Sequence, residues 1–240
     1  MANQDLSVIW IYLSTSPLTG LTLTLMAYAM AFRLYQHFNN SALLHPVVVA
    51  AATIIGFLIM TNTSYEGYFE GGQFVHFLLG PATVALAIPL YQQWSKIKKL
   101  WLPLSITVIS GVILAGFSAI IIAQALGASI ETQLSLAPKS VTAPVAMAIS
   151  EQLNGLPSLT AVLVVTTGIL GAVIGTKILS LMRIKDDAVK GMAMGITAHG
   201  IGTARAFQVS KEMGAFSGLA MATSTFVTAL ILPWLVGLMV

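Results

Sequence analysis

The sequence predicts an all-α polytopic membrane protein: about six transmembrane helices plus two broken or re-entrant segments, with eight full spans as the alternative. Three observations carry this. Of 240 residues, 57% are hydrophobic and only 8% charged, and mean hydropathy is +0.88, whereas globular domains carry about 25% charged residues. The apolar residues fall into runs long enough to cross a hydrocarbon layer about 30 Å thick. Two less oily segments, 137–155 and 190–210, concentrate the glycines, prolines and polar groups that lipid does not tolerate unless protein buries them.

Taken in order, residues 7–16 form a short lead-in that stops at Pro17. Met1 to Asp5 lacks the basic stretch of a cleavable signal, so the first apolar run is expected to be retained. Spans are expected at 18–36, 43–61, 74–93, 101–126, 158–182 and 213–239. Tyr65–Gly72, with three aromatics and two glutamates, reads as an outer loop with an interfacial belt. Gly80-Pro81 marks a kink in the third span, near His76.

Basic residues orient these spans. Arg33 and the Lys96, Lys98, Lys99 cluster mark the cytoplasmic side, because the intervening connection holds Glu66 and Glu70 and nothing basic. Arg183, Lys185 and Lys190 reach that side only if 137–155 enters from outside and returns. Lys211 joins them if 190–210 dips in from inside and returns. Pro81-Ala-Thr-Val and Pro138-Lys-Ser-Val, and Gly111 and Gly168, lie 57 residues apart, which hints instead at a same-direction tandem with 137–155 as a full crossing.

Composition also excludes functions. The net charge of +3 comes without a basic patch, so no nucleic-acid partner is expected. The absence of cysteine removes disulfides, thiolate metal sites and thiol catalysis. No Ser/His/Asp set, His-Glu-x-x-His motif or carboxylate pair points to an enzyme, and no metal or cofactor is expected.

The ionisable groups at membrane depth are the candidates for function. A lysine there costs about 2.5–3.5 kcal/mol on insertion scales. Lys139 sits between Pro138 and Ser140, with Thr142 and Pro144 just beyond. Two prolines open the backbone, and the hydroxyls serve freed groups or a ligand. A half-helix start beside an ammonium is an anion site; a lysine at the interface, on a helix that opens with proline, is the structural alternative. The second segment offers Thr197, His199, Thr203 and Arg205 around Gly200 and Gly202. They bring hydroxyls, a proton-exchanging ring and a carboxylate fork. Glu151 and His199 are the proton-coupling candidates, while Lys177 reads as an anchor that snorkels to the headgroups. Gly168, Gly171 and Gly175 suit tight packing within or between protomers, and six spans make a homodimer plausible.

These motifs resemble the LrgB/CidB family. The likeness is carried by Leu136-Ala-Pro-Lys-Ser-Val-Thr-Ala-Pro-Val-Ala-Met-Ala-Ile-Ser-Glu-Gln-Leu, by Pro157-Ser-Leu-Thr-Ala-Val with Thr167-Gly-Ile-Leu-Gly-Ala-Val, and by Ala198-His-Gly-Ile-Gly-Thr-Ala-Arg-Ala and Gly214-Ala-Phe-Ser-Gly-Leu-Ala-Met. Ser64-Tyr-Glu-Gly-Tyr and Phe77-Leu-Leu-Gly-Pro-Ala-Thr-Val extend it, so it covers nearly the whole chain as a single domain, 1–240. Lys177 departs from the expected pattern. The resemblance implies a bacterial inner-membrane protein, often paired with a small holin-like partner of the LrgA/CidA type. Family members are described as antiholin-like modulators of murein hydrolase activity and autolysis. A plastid relative is a glycolate/glycerate translocator, and bacterial members are linked to small acids such as pyruvate. For this chain the resemblance thus implies a transporter of small monocarboxylates or 2-hydroxy acids, with Lys139 and Arg205 suited to the carboxylate and Ser140, Thr142 and Thr203 to the hydroxyl. A holin-associated membrane protein is the alternative.

Overall fold

A computed structural model describes residues 16–38, 44–85 and 87–238, with the side chains of Leu79 and Thr83 left aside. Of the lead-in expected at 7–16, only Ser16 lies within the described residues. The described residues are helical, without strands, and form two compact units divided between Ala85 and Leu86.

The first unit holds α1 (Pro17–His37), α2 (Pro46–Thr61), α3 (Tyr65–Phe77) and α4 (Leu79–Ala85). Here α1 packs on α2 through Ala27, Ala31 and Ala50, and on α3 through a glycine pair. A Cβ on Gly20 would stand 3.2 Å from Gly71 Cα, so only glycine lets these backbones meet. The Thr24 and Tyr68 hydroxyls bond across the same seam at 2.8 Å. The outer loop expected at Tyr65–Gly72 is therefore helix. Ser64 caps it by accepting from Gly67 N at 3.2 Å, and Glu66 occupies the first turn, where the helix dipole favours an anion. The glycine at 71 that reads as a loop signal is a packing glycine.

The span expected at 74–93 falls largely within the helical run Tyr65–Gln92, which has a turn at Leu78. Short helices follow one another: α3, α4, then α5 (Ala87–Gln92) and α6 (Trp94–Lys99) in the second unit. A proline ring clashes with the carbonyl four residues before it. Pro81 and Pro103 clash in this way at Phe77 and Lys99, where α3 and α6 end. Four helical runs among the described residues are long and apolar enough to cross a membrane: Tyr65–Gln92, Trp101–Ala125, Pro157–Leu181 and Lys211–Gly237. The 16-residue α2 is apolar as well but shorter.

In the second unit, three long helices frame two hairpins. These are α7 (Trp101–Ala125), α10 (Pro157–Leu181) and α12 (Lys211–Gly237). Between α7 and α10 lie α8 (Ile130–Leu136) and α9 (Ala143–Gln152), joined by the irregular stretch 137–142. The Thr160 hydroxyl fixes their course. It stands 3.0 Å from the Ser135 carbonyl and 2.7 Å from Ser150 Oγ, so the chain leaves this point at Ser135 and is back at Ser150. On the way in, Leu134 packs with Ile120 of α7, and Ala137 O comes level with Gly116. The segment 137–155 is thus a re-entrant hairpin, and the full crossing of the eight-span alternative does not occur there.

The second hairpin is contained in α11 (Asp187–Val209), whose ladder is broken at His199 (φ 40°, ψ −131°). Arm 187–198 runs alongside α12, with Gly191 against Met213 and Gly195 against Ser217. Past His199 the direction reverses: Thr203 meets Ser217 again, Phe207 meets Gly214, and Ser210 returns to Asp187. At the hairpin's open end Ser210 Oγ donates to Asp187 Oδ2 at 2.6 Å. Lys96 reaches Glu212 at 2.6 Å and Asp186 at 3.7 Å, and Lys190 reaches Asp187 at 2.9 Å. The regions of Lys96–Lys99, Arg183–Lys190 and Lys211 therefore share one end of the unit, as the charge distribution predicts for a cytoplasmic face. The two hairpins enter from opposite ends.

This corrects the reading of the 57-residue period. Trp101 to Pro157 and Ile130 to Asp187 are offsets of 56 and 57 residues. The repeat relates a long helix plus hairpin to a second such pair pointing the other way, an inverted-topology arrangement rather than a same-direction tandem.

Candidate functional site where two hairpin tips meet

Each 25-residue helix is about 37 Å long, and the tips meet near the middle of α7 and α10. Val141 of the first tip packs on Val164 of α10, both 1% exposed. The Val164 carbonyl accepts a 2.9 Å hydrogen bond from His199 at the second tip. A carbonyl has no proton to give, so Nε2 of His199 is the donor. One residue of α10 thus ties both breaks together.

Glycines on α10 make this junction possible. A Cβ on Gly168 would stand 2.6 Å from Cε1 and 2.8 Å from Nε2 of His199. Gly171 faces Ala198, and Gly175 faces the Met194 sulfur at 2.7 Å. The small-residue face of α10 is therefore filled within the protomer, by the entering arm of the second hairpin. His199 itself sits at positive φ, a conformation that side-chain-bearing residues seldom adopt, and this reverses the chain at the tip.

Between the tips lies a cavity of about 10 Å³, bounded by Gly116 of α7, Pro138 and Ser140 of the first tip, Ile196 of the second, and Thr228 of α12. That is about the room a single water occupies. Ser140 and Thr228 are the hydroxyl-bearing residues in its lining.

The candidate residues divide as follows. Lys139 and Thr142 are half-buried in the first tip beside Ser140, and Thr142 precedes the first turn of α9. His199 and Thr203 are buried in the second hairpin. The Thr203 hydroxyl bonds the His199 carbonyl at 2.8 Å and Ser217 Oγ at 2.9 Å, holding the return arm to the tip and to α12. Thr197 is exposed and satisfies its own helix, donating to Ala193 O at 2.7 Å. Arg205 is half-buried, about 9 Å of helix beyond the tip, with Nη1 on Gln208 Oε1 at 3.0 Å. Glu151 is exposed at the far end of α9, and Lys177 is exposed near the basic end of α10. At the junction Ser140 lines the cavity and His199 bonds Val164, with Lys139 and Thr142 flanking Ser140 in the chain; Arg205, Thr197 and Glu151 lie away from it.

Several participants escape sequence reasoning. Ser135, Ser150 and Thr160, each 0% exposed, form the seam that closes the first hairpin, where Ser135 Oγ also accepts from Leu156 N at 2.7 Å. Ser150 and Thr160 stand inside the family-like motifs, yet nothing in their spacing pairs them. The Val164 carbonyl carries no side-chain signal at all. At the basic end, backbone amides of Val189 and Ala188 together with Lys96 hold the Asp186 carboxyl below the usual carboxylate range. The Ser210 hydroxyl and Lys190 do the same for Asp187, and Glu212 raises Lys96.

Known proteins supply the context. "Uncharacterized protein YwbG" of Bacillus subtilis is 36% identical over 92% of this chain and 98% of its own length. "Holin-like protein CidB" of Staphylococcus aureus is 33% identical over 89% of this chain and 93% of its own length. The Staphylococcus epidermidis protein of the same name is 32% identical over the same shares. No solved structure matches. The LrgB-like family model matches residues 24–238. With that match spanning both hairpins and the long helices that frame them, the chain belongs to the LrgB-like family of membrane proteins.

Proposed function

We propose that the protein is a secondary transporter of small monocarboxylates or 2-hydroxy acids, of the glycolate, glycerate and pyruvate type, in the bacterial inner membrane. The observation that supports this reading best is the meeting of two opposed hairpin tips near the centre of the long helices. Broken helices at that depth are the usual setting of substrate sites in transporters built from inverted repeats. In this reading the one-water cavity, too small for an acid, corresponds to a closed conformation, and withdrawal of one tip would open the centre to one face. Lys139 then receives the carboxylate and Ser140 and Thr142 the hydroxyl groups at the first tip. Arg205, Thr197 and Thr203, which lie off the junction or are engaged in the conformation described, join the site only after a tip moves. His199 and Glu151 are the coupling candidates. The protein functions as a homodimer, with a small membrane partner of the LrgA/CidA type in the cell.

Proteoliposome flux tests it. Lys139→Ala and Arg205→Ala are expected to abolish saturable glycolate or pyruvate uptake while the protein still inserts. Unchanged flux in both variants refutes the site. The name of the CidB relatives favours a second reading: a holin-associated membrane protein that modulates murein hydrolase export and autolysis. That reading expects non-saturable leakage and tolerance of change at Lys139. Saturable counterflow of one acid against another separates the two.

A further inference from the structure

We infer that the groove between α7 and α12 is a binding site for one acyl chain of an anionic phospholipid of the cytoplasmic leaflet, with Lys98 and Lys99 at its mouth receiving the headgroup. The groove has a volume of about 510 Å³ and lies wholly within the second unit. Its walls run from Trp101 to Ile109 on α7 and from Leu219 to Val227 on α12, about 12 Å of each helix. That depth is close to one leaflet of a hydrocarbon core about 30 Å thick. Its interior asks for nothing polar. The hydroxyls of Ser105 and Thr223 are turned back onto the Trp101 and Leu219 carbonyls at 2.9 and 2.7 Å. A carboxylate substrate finds no donor there, and a hydrocarbon chain fits.

Charge at the mouth selects the lipid. Ile97 and Trp101 line the groove where it reaches the basic end. The neighbouring Lys98 holds its ammonium over the Trp94 ring, 5.7 Å from the centroid, and Lys99 follows it. Both lysines are exposed, and among the described residues neither has a carboxylate within ion-pair distance; the nearby acids Asp186 and Glu212 are engaged by Lys96. Tryptophans at headgroup level beside lysines facing the anionic leaflet are the pattern that recognises an acidic lipid.

Native mass spectrometry of the full-length protein in detergent, titrated with phosphatidylglycerol and phosphatidylcholine of identical chains, tests this. Retention of phosphatidylglycerol is expected to exceed that of phosphatidylcholine by about five-fold for each lysine engaged. K98A/K99A is expected to bring the ratio near one while leaving both lipids bound. A222W and, separately, S105W place an indole in the groove and are expected to reduce retention of both lipids in protein of unchanged helicity. Equal retention of the two lipids by the unaltered protein overturns the inference. So does undiminished retention by a folded groove-filling variant. Efficient disulfide formation between two copies carrying Thr223→Cys also overturns it, because the groove is then an interface between protomers.

Discussion

Gly168→Ala probes the junction at its tightest point. Away from other contacts, glycine to alanine inside a helix is worth about 0.5–1 kcal/mol in stability. At position 168 the added methyl stands 2.6 Å from Cε1 of His199, a buried ring with its backbone fixed on either side. The ring has to withdraw, which breaks the 2.9 Å bond to the Val164 carbonyl. Overpacking costs about 1–3 kcal/mol, and a buried polar group left without its partner costs about 1–3 kcal/mol. The helix gain offsets only part of this, so a net loss of about 2–4 kcal/mol is expected. Equilibrium denaturation in mild detergent, followed by circular dichroism, measures it. The decisive quantity is the coupling with His199→Ala. Without the ring, the nearest remaining contact of the methyl that Gly168→Ala adds is the flexible end of Ile201, and the second substitution should become neutral or stabilising. Gly218→Ala, where a Cβ meets nothing within 4 Å, should stabilise in either background. Additive losses at 168 and 199 would refute the wedge between them.

Other perturbations follow from the same geometry. His199→Gly should destabilise about 1 kcal/mol less than His199→Ala in the same denaturation assay, since glycine accepts the positive φ that alanine resists. Thr160→Val keeps shape but removes the hydroxyl shared by Ser135 and Ser150; a loss of about 1–3 kcal/mol is expected, with a sub-additive double variant alongside Ser150→Ala. Single cysteines at Ser129 and Asn154 should react with impermeant maleimide from outside, and at Arg183 and Ser210 only from inside, in a chain that has no native cysteine. The Asp186 and Asp187 carboxyls sit below their unfolded values, so their contribution is present above the usual carboxylate range and is lost as pH falls through it. Lys96 is raised, so its contribution is present below the usual lysine range and disappears as pH rises beyond it. Asp187→Asn should therefore flatten the acid limb of a stability–pH curve and leave the alkaline limb in place.

Much of this architecture is legible in the sequence because lipid imposes simple rules. Apolar runs longer than a bilayer and unevenly placed lysines suffice to place α7, α10 and α12 and to fold both polar segments back. Proline marks breaks in the helical runs: Pro81 and Pro103 lie four residues beyond Phe77 and Lys99, where α3 and α6 end. Glycine depends on distant neighbours. Gly67 to Gly72 look like a loop because the partner of Gly71, Gly20, lies some fifty residues away, and periodicity holds no record of such a neighbour. The site is legible as residue types but not as geometry. Lys139 and His199 stand out by chemistry, whereas the atom that joins their two segments is a backbone carbonyl, identical at every position in the chain.

The demand that buried backbone be satisfied explains why both segments take the form of hairpins. An irregular stretch such as 137–142 frees amide and carbonyl groups that hydrocarbon leaves unsolvated. Some close on the stretch itself, Lys139 N on Leu136 O at 3.1 Å and Val141 N on Pro138 O at 3.2 Å. The rest need protein on all sides, which a lone broken crossing against lipid does not provide. Returning to the starting face places the two arms of each hairpin together, and a second hairpin from the opposite face covers the exposed tip. Each break is then screened by the other, with α7, α10 and α12 completing the wall. The same enclosure that solves the backbone problem leaves at its centre a small space lined by Ser140 and Thr228, with Lys139 next to Ser140 in the chain.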